Sequence, residues 1–143
     1  MEDERLLSPF YTMLPKDCDP TLRIVTMPTD TNHNGDVFGG WIMSQVDIAG
    51  SLLAIRRTGG RVVTVAVDTF VFRHPVFVGD VVSFYTEVTK VGRTSITIDV
   101  AVYAQRGPRE GNEEVCIKVT EAILTYVSVD GKGRPQVIRR EDE

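Results

Sequence analysis

The sequence predicts an α+β fold in which one long apolar helix lies against a curved antiparallel sheet of five strands. Two observations predict it. Residues 41–55 are apolar on nearly every side of a helix and run to Gly59-Gly60, a strong stop signal. Four segments with apolar residues at alternate positions then follow, joined by short turns, and short connections force antiparallel neighbours. One helix against one sheet is the simplest way to bury both apolar faces.

The elements follow in order. Residues 1–20 show no sustained period and contain Pro9 and Pro15, so they read as an irregular arm that packs through Leu6, Leu7, Phe10 and Tyr11. Residues 21–130 form the expected domain. It opens on a short strand over residues 21–27, stopped by Pro28. The helix starts near Gly40 or Trp41, and its all-round apolar character marks a core helix and not a surface one. Val63, Val65 and Val67 share one face of a strand that continues into Phe70 and Phe72. Val82, Phe84 and Val88 share a face of the next, and Ile96, Ile98, Val100 and Val102 alternate with polar or small residues in a third. The last strand carries Val115, Ile117, Val119, Ile123, Val127 and Val129 on odd positions, which predicts one face and a length of about 15 residues, long enough to require bending. Turns fall at His74-Pro75, Gly79-Asp80, Gly92 and within residues 107–112. Residues 131–143 form a charged tail expected to fray.

A chain of 143 residues is one domain's worth, with a net charge of −4 that argues against general nucleic-acid binding. Cys18 and Cys116 have neither metal-ligand spacing nor the density of a disulfide scaffold. The acidic start lacks the features of a signal peptide, and no window reaches the roughly 18 apolar residues of a membrane span. A cytoplasmic protein without membrane contact is expected.

The residue that folding alone does not explain is Asp47, a carboxylate in the second turn of the apolar helix. Burying an ionised carboxylate without partners costs several kcal/mol. A purely structural Asp there would pair with an Arg or cap another element. A catalytic one would activate water or attack directly, and partial desolvation strengthens its pull on a proton. Its neighbours one turn away, Met43 and Gly50 or Ser51, are apolar or small and leave room for a substrate. Gly39 and Gly40 mark the helix start, where unpaired amides can stabilise an oxyanion. In the preceding loop, Asn32 and Asp36 are expected to bond to backbone, to position water or substrate, or to do both. His33 is a candidate substrate contact, although a lone loop histidine is more often simply solvated. The run from Asp30 to Asp36 matches half of a calcium loop, but Trp41 stands where that loop needs a bidentate Glu. Asp68 is given at most a supporting role. Lys90, Arg93, Arg134, Arg139 and Arg140, with Arg73 and His74, are the cations available for phosphate.

The order of elements, together with NGDVFGGWIMSQVD, GRVVTVAV, HPVFVGDVV and KVGRTSI, resembles the hotdog-fold acyl-CoA thioesterases, above all their YciA-type branch. The resemblance spans residues 22–140. It implies hydrolysis of acyl-CoA to free acid and coenzyme A, with no cofactor or metal beyond the coenzyme A of the substrate. It matches Asp47 to the carboxylate needed for hydrolysis and Asp36 to the residue after the loop glycine. It matches residues 32–40 to the segment that borders the thioester across a subunit interface. It further places the turn bearing Lys90, Arg93 and Ser95, and the basic segment with Arg139, near the coenzyme A nucleotide. Hotdog domains of this kind pair through a continuous sheet and assemble further, so a homo-hexamer built as a trimer of dimers is expected. Two rivals keep the same fold. A non-catalytic acyl-CoA sensor would bind without turnover. A hydratase or dehydratase would need His33 or His74 within reach of Asp47.

Overall fold

The computed structural model describes residues 11–108 and 113–141. Leu6, Leu7, Phe10 and part of the 107–112 turn lie outside the described residues, whereas Tyr11 bridges to Ile117. Helix α1, Gly39–Thr58, is the only α-helix among the described residues. Gly59 ends it in the left-handed region (φ 77°), its amide closing on the Ile55 carbonyl at 2.8 Å. Arg56 and Arg57 complement the negative end.

Strands β1 (Leu22–Val25), β2 (Val62–Asp68), β3 (Val81–Val91), β4 (Ser95–Arg106) and β5 (Val115–Ser128) form one sheet in the order β1-β3-β4-β5-β2. Every pairing is antiparallel. The sheet curls around α1, whose Ile42, Val46, Ala49 and Ala54 are buried with Phe84, Ile96, Ile98 and Leu124. The alternation expected for β4 holds, with Ile96, Ile98, Val100, Val102 and Ala104 fully buried.

The single face expected for the last strand does not survive. Val102 pairs with Thr120 and Tyr103 with Lys118, which leaves Val119 as an extra residue. One such bulge reverses which face every later side chain points to. Ile117 and Val119 are buried before it; after it the buried residues are Thr120, Ala122, Leu124, Tyr126 and Ser128, and Ile123 is turned outward. The bulge also bends the strand, as its length requires.

Strand β2 corrects a second expectation. Its register skips Val65, and Thr69 turns the chain at φ 50°, so the strand ends at Asp68 and excludes Phe70 and Phe72. Val63, Val65 and Val67 are all exposed. The helix expected to be a core helix is buried on one side only. Met43, Ile48, Leu52 and Ile55 remain 41–46% exposed, because one curved sheet covers one side of a helix.

The described part of the tail lies against the domain. The amide of Gln136 bonds to Ser128 and that of Ile138 to Arg93, both at 2.8 Å, and the Ile138 side chain is buried.

A buried ion pair fixes the entrance to β3. Asp80 is fully buried and takes the Arg106 guanidinium on both oxygens at 2.9 and 2.7 Å, plus the Phe77 amide at 2.9 Å. The guanidinium also lies 4.5 Å from the centre of the Phe77 ring. Removing one member strands the other charge. Asp80→Ala is therefore expected to cost about 3 kcal/mol in urea unfolding, and adding Arg106→Met should return part of that loss.

Candidate active site

Asp47 sits at the border between the buried and the exposed sides of α1, half-buried. Among the described residues its carboxylate is held by neutral groups and not by an Arg. The Thr64 hydroxyl donates to Oδ1 at 2.7 Å. The Tyr126 hydroxyl lies 2.9 Å from the Asp47 backbone carbonyl and 3.1 Å from Oδ1. His33 is not among the hydrogen-bond partners described for this carboxylate, and His74 lines a cleft with Asn32, Asp36 and Gly39 that Asp47 does not line. Strand β2 brings Thr64 and strand β5 brings Tyr126, paired directly across the ladder. The space over Gly50, expected to receive substrate, is instead filled by Tyr126: a Cβ on Gly50 would overlap its hydroxyl.

The loop before α1 is built around Asn32. Its Oδ1 accepts the amides of Asn34 (2.8 Å) and Asp36 (3.2 Å), and Gly35 closes the turn at φ 87°. Asp30 Oδ2 accepts the Met27 amide, so both residues turn their oxygens onto backbone. The amides of Trp41 and Ile42 both reach the Phe38 carbonyl, while those of Gly39 and Gly40 have no partner among the described residues. Asn32, Asp36 and Gly39 line one cleft of about 390 Å³ with Phe72, Arg73 and His74. Gly39 packs on Phe72, where a Cβ would come within 3.3 Å of the ring. Gly40 is exposed with open space before it. His33 is exposed and is not among the residues lining that cleft.

A second groove, about 780 Å³, gathers Lys90, Arg93 and Arg139 with Arg57 and Arg140. The end of β3 supplies Lys90 and the turn into β4 supplies Arg93, the Gly92 amide there bonding to the Ser95 carbonyl at 2.8 Å. Ser95 itself lies under Gly92, where a Cβ would come within 2.9 Å of its hydroxyl, and it does not line the groove. Arg134 is turned onto Asp130 at 3.4 Å.

Asp47 thus stands apart from both cavities in a single copy. Sequence reasoning missed Thr64 and Tyr126 as its partners. Among the described residues, no group of three or more His, Cys, Asp or Glu could hold a metal ion, and no helix is long and apolar enough to cross a membrane.

The comparisons bear on this geometry. The thioesterase superfamily pattern matches residues 34–110. The acyl-CoA thioester hydrolase YciA of Escherichia coli is 46% identical over 120 residues, covering 84% of this chain and 90% of that one. The crystal structure of a hexameric hotdog fold thioesterase of Campylobacter jejuni is 47% identical, with a TM-score of 0.82 over 87% of this chain and 93% of the other. The acyl-CoA hydrolase of Staphylococcus aureus, 26% identical, has been solved with an aspartate and with a threonine replaced by alanine, at TM-scores of 0.71 and 0.70. Those structures are matched over 82% of this chain and 69% and 70% of theirs. Those two positions are seventeen residues apart, the spacing between Asp47 and Thr64. The chain belongs to the thioesterase superfamily and has the hotdog fold.

Tyr126 carries a pH signature. Its phenol is pushed up from the ordinary value by burial, then by the Asp47 charge and the hydrogen bond to it. The folded state therefore holds the phenol proton more tightly than the unfolded chain does. Unfolding releases it above about pH 10, so stability falls as pH rises. The urea midpoint is expected to drop between about pH 9 and 11, and more shallowly in Tyr126→Phe.

Proposed function

We propose that the protein is an acyl-CoA thioesterase, converting acyl-CoA and water to a free carboxylic acid and coenzyme A. The observation that carries this reading is Asp47, a half-buried carboxylate on an apolar helix, tied through one oxygen to neutral hydroxyls and without a neutralising cation among the described residues. It acts as general base on water or as direct nucleophile on the thioester. In the first route the water oxygen bonds to the carbonyl carbon, the C–S bond breaks, and the proton taken by Asp47 passes to the departing thiolate. No metal or prosthetic group is assigned a step.

The oxyanion donors come from a second copy. Gly39 and Gly40 precede Asp47 by eight and seven positions on one helix, about 10–12 Å along its axis. That is too far for the amides and the carboxylate of one chain to serve a single carbonyl. The exposed apolar side of α1, and β2 as an uncovered sheet edge, support pairing of two copies. Two such copies would set the amides of one against Asp47 of the other, with Asn32 and Asp36 positioning water or substrate. The Campylobacter relative is hexameric, and we assign this chain the same assembly as a trimer of dimers. The groove of Lys90, Arg93 and Arg139 takes the phosphates of the coenzyme A nucleotide. Cys18 and Cys116 are unpaired thiols, which supports a reducing, cytoplasmic setting.

Thiol release from acyl-CoAs of increasing chain length tests the reading directly. Wild type should turn over, and folded Asp47→Asn should lose roughly 100-fold or more in kcat. A wild type that binds acyl-CoA but releases no thiol would make it a sensor. Subunit mixing tests the shared site. Gly40→Pro removes one amide at a helix start that tolerates proline, and it should be inactive alone, as should Asp47→Asn. Refolded together they should regain activity, because each mixed dimer holds one site with both halves intact. Arg93→Ala with Arg139→Ala should raise KM roughly tenfold for acyl-CoA but not for the acyl-pantetheine that lacks the nucleotide.

A further inference from the structure

We propose that Tyr126, admitted by the missing side chain of Gly50, is a positioning residue that fixes the Asp47 carboxylate with Oδ1 turned inward and Oδ2 presented to the reacting centre. The inference rests on the thioesterase reading of Asp47 and adds which oxygen acts and what aims it.

Three observations carry it. The Tyr126 side chain is fully buried, and its hydroxyl reaches the backbone carbonyl and the side-chain Oδ1 of the same residue at 2.9 and 3.1 Å. A buried tyrosine needs one partner for its hydroxyl, and the carbonyl alone would satisfy it. The second contact ties the carboxylate to the helix that carries it. Next, Oδ1 also accepts the Thr64 hydroxyl at 2.7 Å, so both hydroxyls converge on one oxygen. Oδ2 has no hydrogen-bond partner among the described residues. Last, the contact requires glycine at position 50: a Cβ there would overlap the Tyr126 hydroxyl and stand 3.2 Å from two ring carbons. A glycine in mid-helix is unfavourable by propensity, and here it opens the path of a hydroxyl to a carboxylate one turn away. Tyr126 remains protonated because burial and the Asp47 charge both push its phenol up. Its one proton is therefore retained and shared between the two acceptors in reach, the Asp47 carbonyl and Oδ1.

A carboxylate that swings between orientations is correctly aimed only part of the time, and misplacement by about 1 Å is costly to an attacking group. Loss of the clamp therefore acts on kcat and not on acyl-CoA binding. Tyr126→Phe keeps the ring and removes only the hydroxyl. It should lower kcat roughly 10- to 100-fold with KM within about twofold of wild type. Gly50→Ala, which leaves the tyrosine in place and displaces its hydroxyl, should show the same split. The combined Gly50→Ala/Tyr126→Phe variant removes the overlapping atom and should be no slower than Tyr126→Phe, because both changes remove one interaction.

Crystal structures of wild type and Tyr126→Phe read the orientation without reference to activity. The expected result is one Asp47 rotamer with Oδ1 toward Thr64 in wild type, and a rotated or split carboxylate in the variant. An unmoved carboxylate in Tyr126→Phe overturns the proposal, as does an unchanged kcat, or losses that multiply in the combined variant. A wild type that releases no thiol overturns the thioesterase reading instead, and the rotamer comparison still decides what Tyr126 does.

Discussion

A curved sheet can cover only one side of a helix, and α1 is apolar on more than one. That mismatch organises the molecule. The buried side, through Ile42, Val46, Ala49 and Ala54, joins the sheet in one core. The outward side leaves Met43, Ile48, Leu52 and Ile55 to water in a single copy, which is unfavourable unless something covers them. Asp47 lies on the line between the two sides. A carboxylate on the buried side would need a cation, and one on an ordinary surface would be fully hydrated. On the border it is partly dehydrated, anchored from the sheet by Thr64 and Tyr126, and open toward whatever covers the outer side.

Much of the fold was legible from the chain. The helix and its stop at Gly59, the strictly alternating β4 and the antiparallel plan follow from periodicity and turn residues alone. What could not be read were the bulges. One extra residue at Val119 inverts the facing of the second half of β5, and the skipped pairing at Val65 does the same in β2. A bulge leaves no mark on a run of β-branched residues, since valine suits either face. The expectation for Ile123 and Val127 therefore failed for a geometric reason and not for a chemical one. The burial of α1 was misjudged differently: sequence reports that a face is apolar, but not whether the same chain covers it.

The candidate site was legible in proportion to how badly each residue fitted its surroundings. Asp47 stood out as a charge in an apolar helix. Gly39 and Gly40 stood out as flexible residues at a helix start, and the basic turn at Lys90 and Arg93 as charge beside glycine. Thr64 and Tyr126 fitted their strands too well to be noticed, since threonine and tyrosine are ordinary strand residues. Their meaning lies in register, because the two face each other across β2 and β5 and so converge on one carboxylate. Gly50 was noticed, but as room for a substrate and not for a hydroxyl arriving from 76 positions away in the chain.

Two aspartates of this chain are held in opposite ways. Asp80 is fully buried, gripped on both oxygens by Arg106 and on one by the Phe77 amide. Every acceptor direction facing those donors is used and the charge is cancelled, which suits a residue that locks a turn. Asp47 receives only neutral hydroxyls, and both fall on Oδ1. Hydroxyls orient a carboxylate without neutralising it, so the negative charge stays available for the proposed role of drawing a proton from water or attacking carbon. A guanidinium in place of those hydroxyls would hold Asp47 more firmly and pair its charge, as Arg106 does for Asp80. The weaker grip leaves the charge unpaired, which is what the proposed chemistry requires.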